Sequence, residues 1–528
     1  MECYEKRDSY PELDGPQKPV DLSKSEIRSL FKGANLFVTG GAGFLGSLLI
    51  EKVARSCPDF GKMYLLLRSK RGLTPSERLE KMFEDEIFHR LKKENPDFIS
   101  RVILMEGDLN EPVCGLSQEN QNIIRDEVDF VYHIAACLRM TEPLKNAYNM
   151  NIRATKDLLD LGTKMKRLKG WIYVSTAYSN CFRPDISEKF YPTTYNWEEL
   201  GEMVERMPEE DLDYFTPKLV GPWVNTYAFT KAVCEDMVKS YLSILPIAIA
   251  RPSIVVGCVE EPLIGWINNV YGAVGVSAGA SVGLIRVWYA DKNKIADIIP
   301  ADYVVNTMIA IAWQLDKHKR EKIHQPNPIY NIVSSPKAPT TWGEYMDLSF
   351  KAAYDSKVTT TKIIGEYSLV LVHKRWLFFT LFYLLHLTQC ILLDTALILQ
   401  GKSAMLLPGY IKIMRFNLSL AFFCERQWKY EQNNVDCLFK EMTDVDKVIF
   451  PFDMTSFSWE RYHLQSIRAI LKYIVKSKDC EDPKAAREKY VKWMMVRRSI
   501  TRVIYVVVGW HAIKIFNHFA IPMISTFL

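Results

Sequence analysis

Tyr227 and Lys231 lie four positions apart and form the pair in this sequence with the clearest capacity for chemistry. On a helix, two side chains with this spacing share one face. A tyrosine hydroxyl has an ordinary pKa of about 10, so it is a poor acid or base at neutral pH unless a neighbouring cation such as Lys231 favours its phenolate. Thr176 ends an apolar run and offers a second hydroxyl, which can hydrogen-bond a substrate oxygen and direct it toward Tyr227. These residues predict proton transfer to a substrate oxygen, whereas a surface helix pair is the alternative for Tyr227 and Lys231 alone.

A glycine-rich turn near the N-terminus predicts a cofactor site. The sequence TGGAGFLG directly follows an apolar run at 36–38 and combines the spacings G-x-x-G-x-x-G and G-x-G-x-x-G. Glycines permit a tight turn and let the backbone approach a pyrophosphate, while N–H groups at the start of the following helix attract the anion. An ordinary glycine-rich turn is the alternative, because such a motif is weak evidence alone. The predicted dinucleotide-binding residues of this turn are Thr39, Gly40, Gly41, Gly43, Phe44, Leu45 and Gly46.

Basic residues follow the next apolar run, which covers 63–67. A fold that prefers NAD would place an acidic residue about 20 positions after the turn, where it binds the ribose 2′-hydroxyl. This sequence has Arg68 there, with Lys70 and Arg71 close by. Guanidinium groups pair well with phosphate, so Arg68 and Arg71 predict recognition of a 2′-phosphate and hence NADPH as the cofactor. A solvated basic loop is the alternative.

Apolar runs alternate with helical patterns through the first half of the sequence. This rhythm is typical of an α/β fold with a doubly wound parallel sheet. Small residues at the end of the fourth run, including Ala135, leave room for adenosine. The six predicted strands cover 36–38, 63–67, 101–106, 129–136, 170–176 and 246–252, and a helical pattern covers 141–164.

With these motifs in place, the sequence resembles the extended short-chain dehydrogenase/reductase superfamily, whose sheet is of the Rossmann type. The resemblance implies that Thr176, Tyr227 and Lys231 are the catalytic set and that Lys231 also touches the nicotinamide ribose. It further implies two groups of cofactor contacts, with Pro252, Ser253 and Val255 beside the nicotinamide and Asp108, Leu109 and Ala135 near the adenosine.

Further motifs narrow the resemblance to the alcohol-forming fatty acyl-CoA reductases. These motifs are GWINNVYG at 265–272, IIPADYVVN at 298–306, YNIVSS at 330–335 and FPFDMTSFSW at 450–459. The resemblance runs from about residue 31 to the C-terminus. It implies reduction of a long-chain or very-long-chain acyl-CoA to a primary alcohol through a bound aldehyde, with NADPH as the reductant and release of CoA. The alternatives are an extended reductase acting on a sterol or a sugar nucleotide, and a non-catalytic membrane scaffold.

The predicted organisation is a Rossmann reductase domain with insertions in its substrate region, followed by a mainly helical C-terminal domain that carries apolar membrane-associated segments. An insertion at 184–222 is expected either to form part of the substrate mouth or to be a surface lid. The predicted boundaries are a loose leader at 1–30, the reductase domain at 31–340, the family's C-terminal domain at 363–452, a basic helical linker region at 453–502 and a membrane-associated segment at 503–528.

Two apolar stretches raise the question of membrane contact. Residues 376–393 form a run of 18 positions without a formal charge, just long enough for a marginal crossing. Asp394 interrupts the stretch, and a single crossing there would separate two basic flanks that favour the same side of a membrane. A buried or interfacial helical hairpin at 376–399 is therefore favoured over a crossing. The tail at 503–528 carries Lys514, which is costly in mid-bilayer, so we expect it to lie in the interface or to span with a tilt, with packing on the protein as the alternative.

Composition excludes several other classes of protein. The 67 basic and 62 acidic residues leave a net charge of +5, which is no signature of nucleic-acid binding. The 11 cysteines are scattered, without a C-x-x-C pair, and residues 1–10 do not read as a secretory signal, so we expect reduced thiols facing the cytosol and no metal site. Cys181 is expected to be buried and inert, and the alternative is an acyl-carrying nucleophile with His133 as its base. The expected location is the endoplasmic reticulum membrane, with the peroxisome as the alternative, and the sequence does not determine the oligomeric state.

Overall fold

The computed structural model describes residues 21–323, 327–355, 360, 362, 367–401, 403–404, 406–455 and 457–477, together with a few single positions between 488 and 510. Contacts divide the chain into two compact units. Unit 1 comprises Met1–Leu263, Ile295–Pro339 and Gln427–Phe457, and unit 2 comprises Ile264–Lys294, Thr340–Arg426 and Ser458–Leu528. Both units are discontinuous in sequence, whereas the domain boundaries predicted above are contiguous and stay a prediction. Nearly all of the predicted segment 503–528 lies outside the described residues.

Unit 1 is built on a parallel sheet of seven strands. Its strands are β1 (Leu36–Thr39), β2 (Met63–Leu67), β3 (Val102–Glu106), β4 (Phe130–His133), β5 (Gly170–Val174), β6 (Ile247–Pro252) and β7 (Ile329–Ile332). They lie in the order β7-β6-β5-β4-β1-β2-β3, and every neighbouring pair is parallel. The predicted Rossmann-like α/β sheet is confirmed, and β7 is a strand that the sequence reasoning did not predict.

The sheet changes its direction of growth between β1 and β4. From β1 the chain adds β2 and β3 on one side, and it then returns to add the remaining strands on the other. Because βαβ crossovers are right-handed, the helices of the two halves cover opposite faces, and a crevice opens at the carboxyl ends of β1 and β4. Thr39 at the end of β1 is in register with His133 at the end of β4. The glycine turn that follows Thr39 therefore lies at this crevice.

Side-chain caps begin several helices of unit 1. Asn225 Oδ1 accepts a hydrogen bond from the backbone N–H of Ala228 at 2.8 Å, which satisfies an N–H group of the first turn. Thr74 and Asn196 cap two other helices with capping boxes. The α-helices of unit 1 are Glu26–Phe31, Phe44–Ser56, Pro75–Phe83, Phe88–Glu94, Gln118–Glu127, Leu144–Tyr148, Ala154–Gly162, Trp197–Arg206, Glu209–Val220, Thr226–Lys239, Ala301–Glu321, Asn433–Glu441 and Asp444–Ile449.

Shorter elements complete unit 1. Leu22–Lys24, Pro96–Arg101 and Pro112–Gly115 are 3-10 turns, Asn149–Arg153 is a π-helical turn, and the strand pairs are Asp185–Ile186 with Lys429–Tyr430 and Ile254–Val256 with Ile298–Pro300. The predicted helical region at 141–164 thus contains two α-helices joined by the π-helical turn. Part of the predicted leader is structured, because Ile27 and Phe31 of the first helix are buried.

Unit 2 is mainly helical. Its α-helices are Gly272–Ser281, Trp342–Asp355, Arg375–Phe382, Thr388–Leu399, Leu406–Cys424 and Trp459–Ala469, with π-helical turns at Tyr383–Leu387 and Ile470–Ile474 and a parallel strand pair formed by Val287–Tyr289 and Val370–Val372. Helical structure is therefore continuous over 375–399, where the sequence predicted a hairpin. Asp394 is 4% exposed, and its carboxylate accepts the N–H groups of Leu406 and Leu407 at 3.1 and 2.8 Å, which joins this helix to the next one. Among the described residues, no helix combines the length and the apolar character that crossing a membrane requires.

The glycine turn of unit 1 tolerates few side chains. Gly40 has φ +75°, a conformation that favours glycine. A Cβ atom on Gly46 would lie 2.2 Å from the carbonyl oxygen of Gly40 and 2.7 Å from Cα of Gly41. The helix Phe44–Ser56 begins at Gly43 without a side-chain cap, so its N-terminal dipole faces the turn.

We predict that Gly46→Ala lowers the free energy of unfolding by about 1–3 kcal/mol and weakens binding of the predicted dinucleotide, because the added methyl group meets backbone on two sides. Thermal unfolding and a fluorescence titration with NADPH measure the two effects. Gly409→Ala is the matched control, since its Cβ atom would meet no described atom within 4 Å. Equal behaviour of the two variants would contradict the tight packing of the turn.

Candidate active site

Lys231 is anchored at the carboxyl end of β5. It lies on the helix Thr226–Lys239 and is 2% exposed. Its Nζ donates to the carbonyl oxygen of Val174 at 2.7 Å and to the hydroxyl of Tyr173 at 3.3 Å. The same ammonium group lies 4.6 Å from the centre of the Tyr173 ring, which adds a cation–π contact. The position of the Lys231 side chain is therefore fixed by β5.

Thr176 and Tyr227 meet beside this lysine. Thr176 follows β5 by two residues and is 5% exposed, and its hydroxyl hydrogen-bonds the hydroxyl of the half-buried Tyr227. The Thr176 Oγ1 atom also accepts the N–H of Tyr178 at 3.2 Å, which fixes its rotamer. The structure thus brings together the three residues that the sequence predicts as a catalytic set, while their roles stay a prediction.

Burial moves the pKa values of Tyr227 and Lys231 in opposite directions. It raises the pKa of Tyr227 to about 12, although the hydrogen bond from Thr176 acts in the other direction. It lowers the pKa of Lys231 to about 8, although the nearby Cys234 and Glu235 oppose this shift. At neutral pH, Tyr227 therefore carries its proton and can donate it, while Lys231 is mostly charged and can stabilise the oxygen that results.

A neutral histidine locks the ends of β1 and β4 together. His133 Nδ1 lies 2.7 Å from Thr39 Oγ1, and Nε2 lies 2.9 Å from Thr155 Oγ1. Thr39 Oγ1 also accepts the N–H of Ala135 at 3.3 Å, where the chain leaves β4. Burial, with a smaller contribution from the charge of Lys231, lowers the pKa of His133 to about 3, so the ring is uncharged at neutral pH. The predicted cofactor residues Thr39 and Ala135 therefore lie next to each other at the crevice.

Arg68 lies at the end of β2, and its guanidinium pairs with Asp108 at 2.9 Å. Asp108 and Leu109 follow β3, and Arg78 on the helix Pro75–Phe83 donates to the carbonyl oxygen of Arg68. Partial burial raises the pKa of Asp108, but hydrogen bonds from Asn110 and Arg68 outweigh it and hold the pKa below its ordinary value. Two predicted cofactor residues, Arg68 and Asp108, are thus brought together as an ion pair.

Several cations surround this ion pair. Burial lowers the pKa of Lys70, and the positive charges of Arg78, Arg68, Arg71 and Arg139 lower it further, so each of these four guanidinium groups lies near Lys70. Such an accumulation of positive charge is unfavourable unless an anion joins it, so the cluster is suited to a phosphate group. Arg68, Lys70 and Arg71 are predicted from the sequence, whereas Arg78 and Arg139 are not, because they lie outside the RSKRG segment.

The other end of the predicted cofactor site lies after β6. Pro252 ends this strand, and Val255 belongs to the short strand Ile254–Val256. Ser253 is 7% exposed, and its hydroxyl has no hydrogen-bond partner among the described residues. A buried hydroxyl without a partner is costly, so its position fits a polar group of a ligand. Together with the glycine turn, this orphaned hydroxyl is suited to a nicotinamide dinucleotide.

Cys181 lies close to the predicted site in sequence but is buried, with 2% exposure. Its carbonyl oxygen accepts the indole N–H of Trp428 at 2.8 Å. Both ring nitrogens of His133, the residue considered as its base, are engaged with threonines. These contacts favour an inert cysteine. Within the described residues, no group of three or more His, Cys, Asp and Glu side chains is arranged to hold a metal ion.

Two charged residues near the site are not predicted from the sequence. Glu235 lies one turn after Lys231, and Arg251 directly precedes Pro252, and the two form a buried ion pair. The i, i+4 spacing from Lys231 to Glu235 is a signal that could have placed Glu235 on the same helix face. No comparable signal links Arg251 to it, because the two residues belong to different elements.

Comparison with known protein families identifies two matching domains. The NAD-binding domain described as male sterility protein matches residues 38–308, and the Sterile domain with the same description matches residues 385–477. Fatty acyl-CoA reductase wat of Drosophila melanogaster is 31% identical over 487 residues, which cover 92% of this chain and 93% of that protein. Fatty acyl-CoA reductase 1 of Rattus norvegicus is 33% identical over 485 residues, which cover 91% of this chain and 92% of that protein.

Solved structures share the fold at lower identity. The terminal R domain of the myxalamid PKS-NRPS pathway superposes with a TM-score of 0.53 at 19% identity, covering 84% of this chain and 92% of that domain. The reductase domain of a nonribosomal peptide synthetase from Mycobacterium tuberculosis superposes with a TM-score of 0.52 at 15% identity, covering 87% of this chain and 96% of that domain. These likenesses support the fold.

Proposed function

This chain belongs to the fatty acyl-CoA reductase family, and we propose that it reduces long-chain or very-long-chain fatty acyl-CoA to the primary alcohol with NADPH as the reductant. The proposal is supported above all by the hydrogen-bonded hydroxyls of Thr176 and Tyr227 beside the buried ammonium group of Lys231. This arrangement lies at the carboxyl edge of a parallel sheet, where a nicotinamide cofactor binds in folds of this kind.

The first reduction converts the thioester to an aldehyde. A nicotinamide cofactor held by the glycine turn at 39–46 would supply the hydride for the carbonyl carbon. Tyr227 donates its proton to the carbonyl oxygen as negative charge develops there, and Thr176 hydrogen-bonds the same oxygen. Lys231 stabilises the tyrosinate that remains. The product is a hemithioacetal, which releases CoA when its carbon–sulfur bond breaks and its hydroxyl proton passes to the sulfur.

The second reduction uses the same residues. The aldehyde carbon accepts a second hydride after cofactor exchange, and its oxygen takes a second proton from Tyr227, which gives the alcohol. Both steps place negative charge on an oxygen attached to the same carbon, so one set of hydroxyls serves both. Tyr227 must regain a proton between them, and Lys231, with a pKa of about 8, is suited to pass one on.

The basic cluster supports NADPH rather than NADH. Arg68 and Arg71 are the residues proposed to bind the 2′-phosphate, since a guanidinium group pairs with phosphate through two hydrogen bonds. Lys70 adds positive charge nearby. The ion pair with Asp108 orients the guanidinium group of Arg68. The Arg68 side chain is still 40% exposed, so a phosphate can reach it.

The exposed face of the helical region 375–399 supports membrane lipid as a second partner. Trp376, Tyr383, Ile391 and Ile398 are 66%, 54%, 47% and 59% exposed, and their spacing of seven or eight residues places them on one face. Aromatic and aliphatic side chains beside basic residues are typical of a segment that lies in a membrane interface. We place the catalytic unit on the cytosolic side, at the endoplasmic reticulum, with the peroxisome as the alternative.

Tyr227→Phe should reduce both steps by about 10²–10⁴-fold, because it removes the proton donor and keeps the ring. Product analysis after incubation with NADPH and acyl-CoAs of several chain lengths measures alcohol and aldehyde separately. Tyr241→Phe is the matched control, since its hydroxyl donates to Asp160 Oδ1 at 2.6 Å, outside the site. Near-normal alcohol formation by Tyr227→Phe would overturn the proposed role.

Arg68→Asp should raise KM for NADPH by about tenfold or more and leave KM for NADH little changed or lower, since it removes the proposed 2′-phosphate ligand. Steady-state kinetics with both cofactors measure the preference. Lys81→Asp is the control. It makes the same change of charge at an exposed position on the neighbouring helix Pro75–Phe83 and should not shift the preference between NADPH and NADH. An unchanged ratio in Arg68→Asp would reject its role.

The triple variant Trp376→Ser, Tyr383→Ser, Ile391→Ser should sediment less with phosphatidylcholine–phosphatidylserine vesicles, because it removes apolar area from the exposed face. Tyr214→Ser with Phe215→Ser, which changes two exposed aromatic residues of unit 1, is the control. The prediction is contradicted if the triple variant sediments as wild type does and sedimentation is lost only when the residues after Arg502 are removed. Lipid binding would then belong to the tail.

A further inference from the structure

Glu235 and Arg251 form a fully buried ion pair beside the candidate site. Glu235 is 2% exposed and Arg251 is completely buried. The guanidinium group donates from Nε to Oε1 at 2.9 Å and from Nη2 to Oε2 at 2.6 Å, so the contact has two parallel hydrogen bonds. Burying such a pair costs desolvation energy, and apolar residues of similar volume often make a protein equally stable. Its presence here calls for an account beyond stability.

The pair joins the elements that carry the site. Ser175 donates its hydroxyl proton to Glu235 Oε1 at 2.5 Å, and Ser175 directly precedes Thr176. Glu235 follows Lys231 by one turn on the helix that also carries Tyr227. On the other side, Arg251 lies two residues before Ser253, the residue with the orphaned buried hydroxyl.

Arg251 also holds the segment that follows β5. Its Nη1 and Nη2 atoms donate to the carbonyl oxygens of Ser187 and Lys189, both at 3.1 Å. Four donor contacts fix the guanidinium plane, and the carboxylate of Glu235 is fixed in turn. One ion pair thereby sets the distance between the end of β5, the end of β6 and the helix Thr226–Lys239.

We propose that Glu235 and Arg251 are positioning residues of the reductase, which hold Thr176 against Tyr227 through Ser175 and keep a negative charge next to Lys231. Neither residue touches substrate or cofactor in this proposal. It rests on the proposed function of Thr176, Tyr227 and Lys231.

The charges around Lys231 make the electrostatic part of the proposal testable. The titratable groups that interact with Lys231 are Tyr173 from β5, His133 from β4, and Cys234 and Glu235 from its own helix, and Tyr227 of the same helix lies near Tyr173. Burial raises the pKa of Tyr173 far above its ordinary value, raises those of Cys234 and Tyr227 to about 11 and 12, and lowers that of His133 to about 3, so these four groups are uncharged at neutral pH.

Glu235, paired with Arg251, is therefore the negative charge among this set. Its charge raises the pKa of Lys231 against the effect of burial. Removal of that charge should lower the pKa of Lys231 below about 8. If the protonated form of Lys231 supports turnover, activity is present below this pKa and is lost as the pH rises through it, so the alkaline limb of the pH–rate profile should move to lower pH.

The decisive experiment compares Glu235→Gln, the double variant Glu235→Gln/Arg251→Met and wild-type protein in full pH profiles of kcat and kcat/KM with acyl-CoA and NADPH. We expect Glu235→Gln to lower kcat by about tenfold or more, to leave KM for NADPH little changed and to shift the alkaline limb to lower pH. The double variant leaves no unpaired buried charge, so its melting temperature should recover toward wild type while the alkaline limb stays displaced.

Glu261→Gln is the matched control. Glu261 forms buried ion pairs with Lys52 and Arg55 away from the site residues. This variant should lower the melting temperature and leave the alkaline limb in place. It therefore measures what the loss of a buried ion pair does to stability alone.

An alkaline limb that stays in place in Glu235→Gln, with only the melting temperature lowered, would overturn the proposal and leave the pair a structural role. If Glu235→Gln does not fold, the double variant decides by the same criterion. Failure of the proposed function can be distinguished from failure of this proposal. It would appear as normal alcohol formation by Tyr227→Phe, whatever the result for Glu235→Gln.

Discussion

The burial of one ammonium group, that of Lys231, is the constraint on which the arrangement of the site depends. An unpaired cation is costly in a protein interior, yet Lys231 is 2% exposed. A carbonyl oxygen and a hydroxyl of β5 receive its hydrogen bonds, and Glu235 supplies negative charge one turn further along the helix. These partners can surround the ammonium group only if the helix Thr226–Lys239 and the end of β5 keep one relative position. The position that satisfies Lys231 is also the one that brings Tyr227 to Thr176.

The crevice beside the site is held by groups without charge. His133 bridges Thr39 and Thr155 through both ring nitrogens, and burial keeps it neutral. A protonated imidazole there would face the ammonium group of Lys231 across the ends of the strands and would be repelled by it. The neutral ring of His133 therefore joins β1 to β4 without adding a second positive charge that would repel Lys231.

The sequence predicts the parts of this structure that depend on local spacing, and it misses the parts that depend on tertiary contact. The glycine turn and the placement of Tyr227 and Lys231 on one helix follow from intervals along the chain. β7 escaped prediction because it is short and contains Asn331, a polar residue whose side-chain amide donates to the carbonyl oxygens of Ile186 and Glu431, far away in sequence. Glu235 and Arg251 escaped for a similar reason, since each alone is typical of a protein surface and only their pairing permits burial.

The two positive regions of unit 1 are built differently, and the proposed function assigns a different anion to each. A phosphate carries a permanent charge and arrives from water, so guanidinium groups that remain partly exposed and always protonated can receive it without a large cost of desolvation. Arg68, at 40% exposure, is of this kind. An oxyanion on a reacting carbonyl group exists only briefly, and a charge held ready for it must act in a medium of low polarity, where it acts more strongly. A lysine suits that task better than an arginine, because burial can bring its pKa to about 8, within reach of proton exchange at neutral pH. Under the proposed function, the use of arginine at β2 and of lysine beside β5 thus follows from the lifetime of the anion that each would bind.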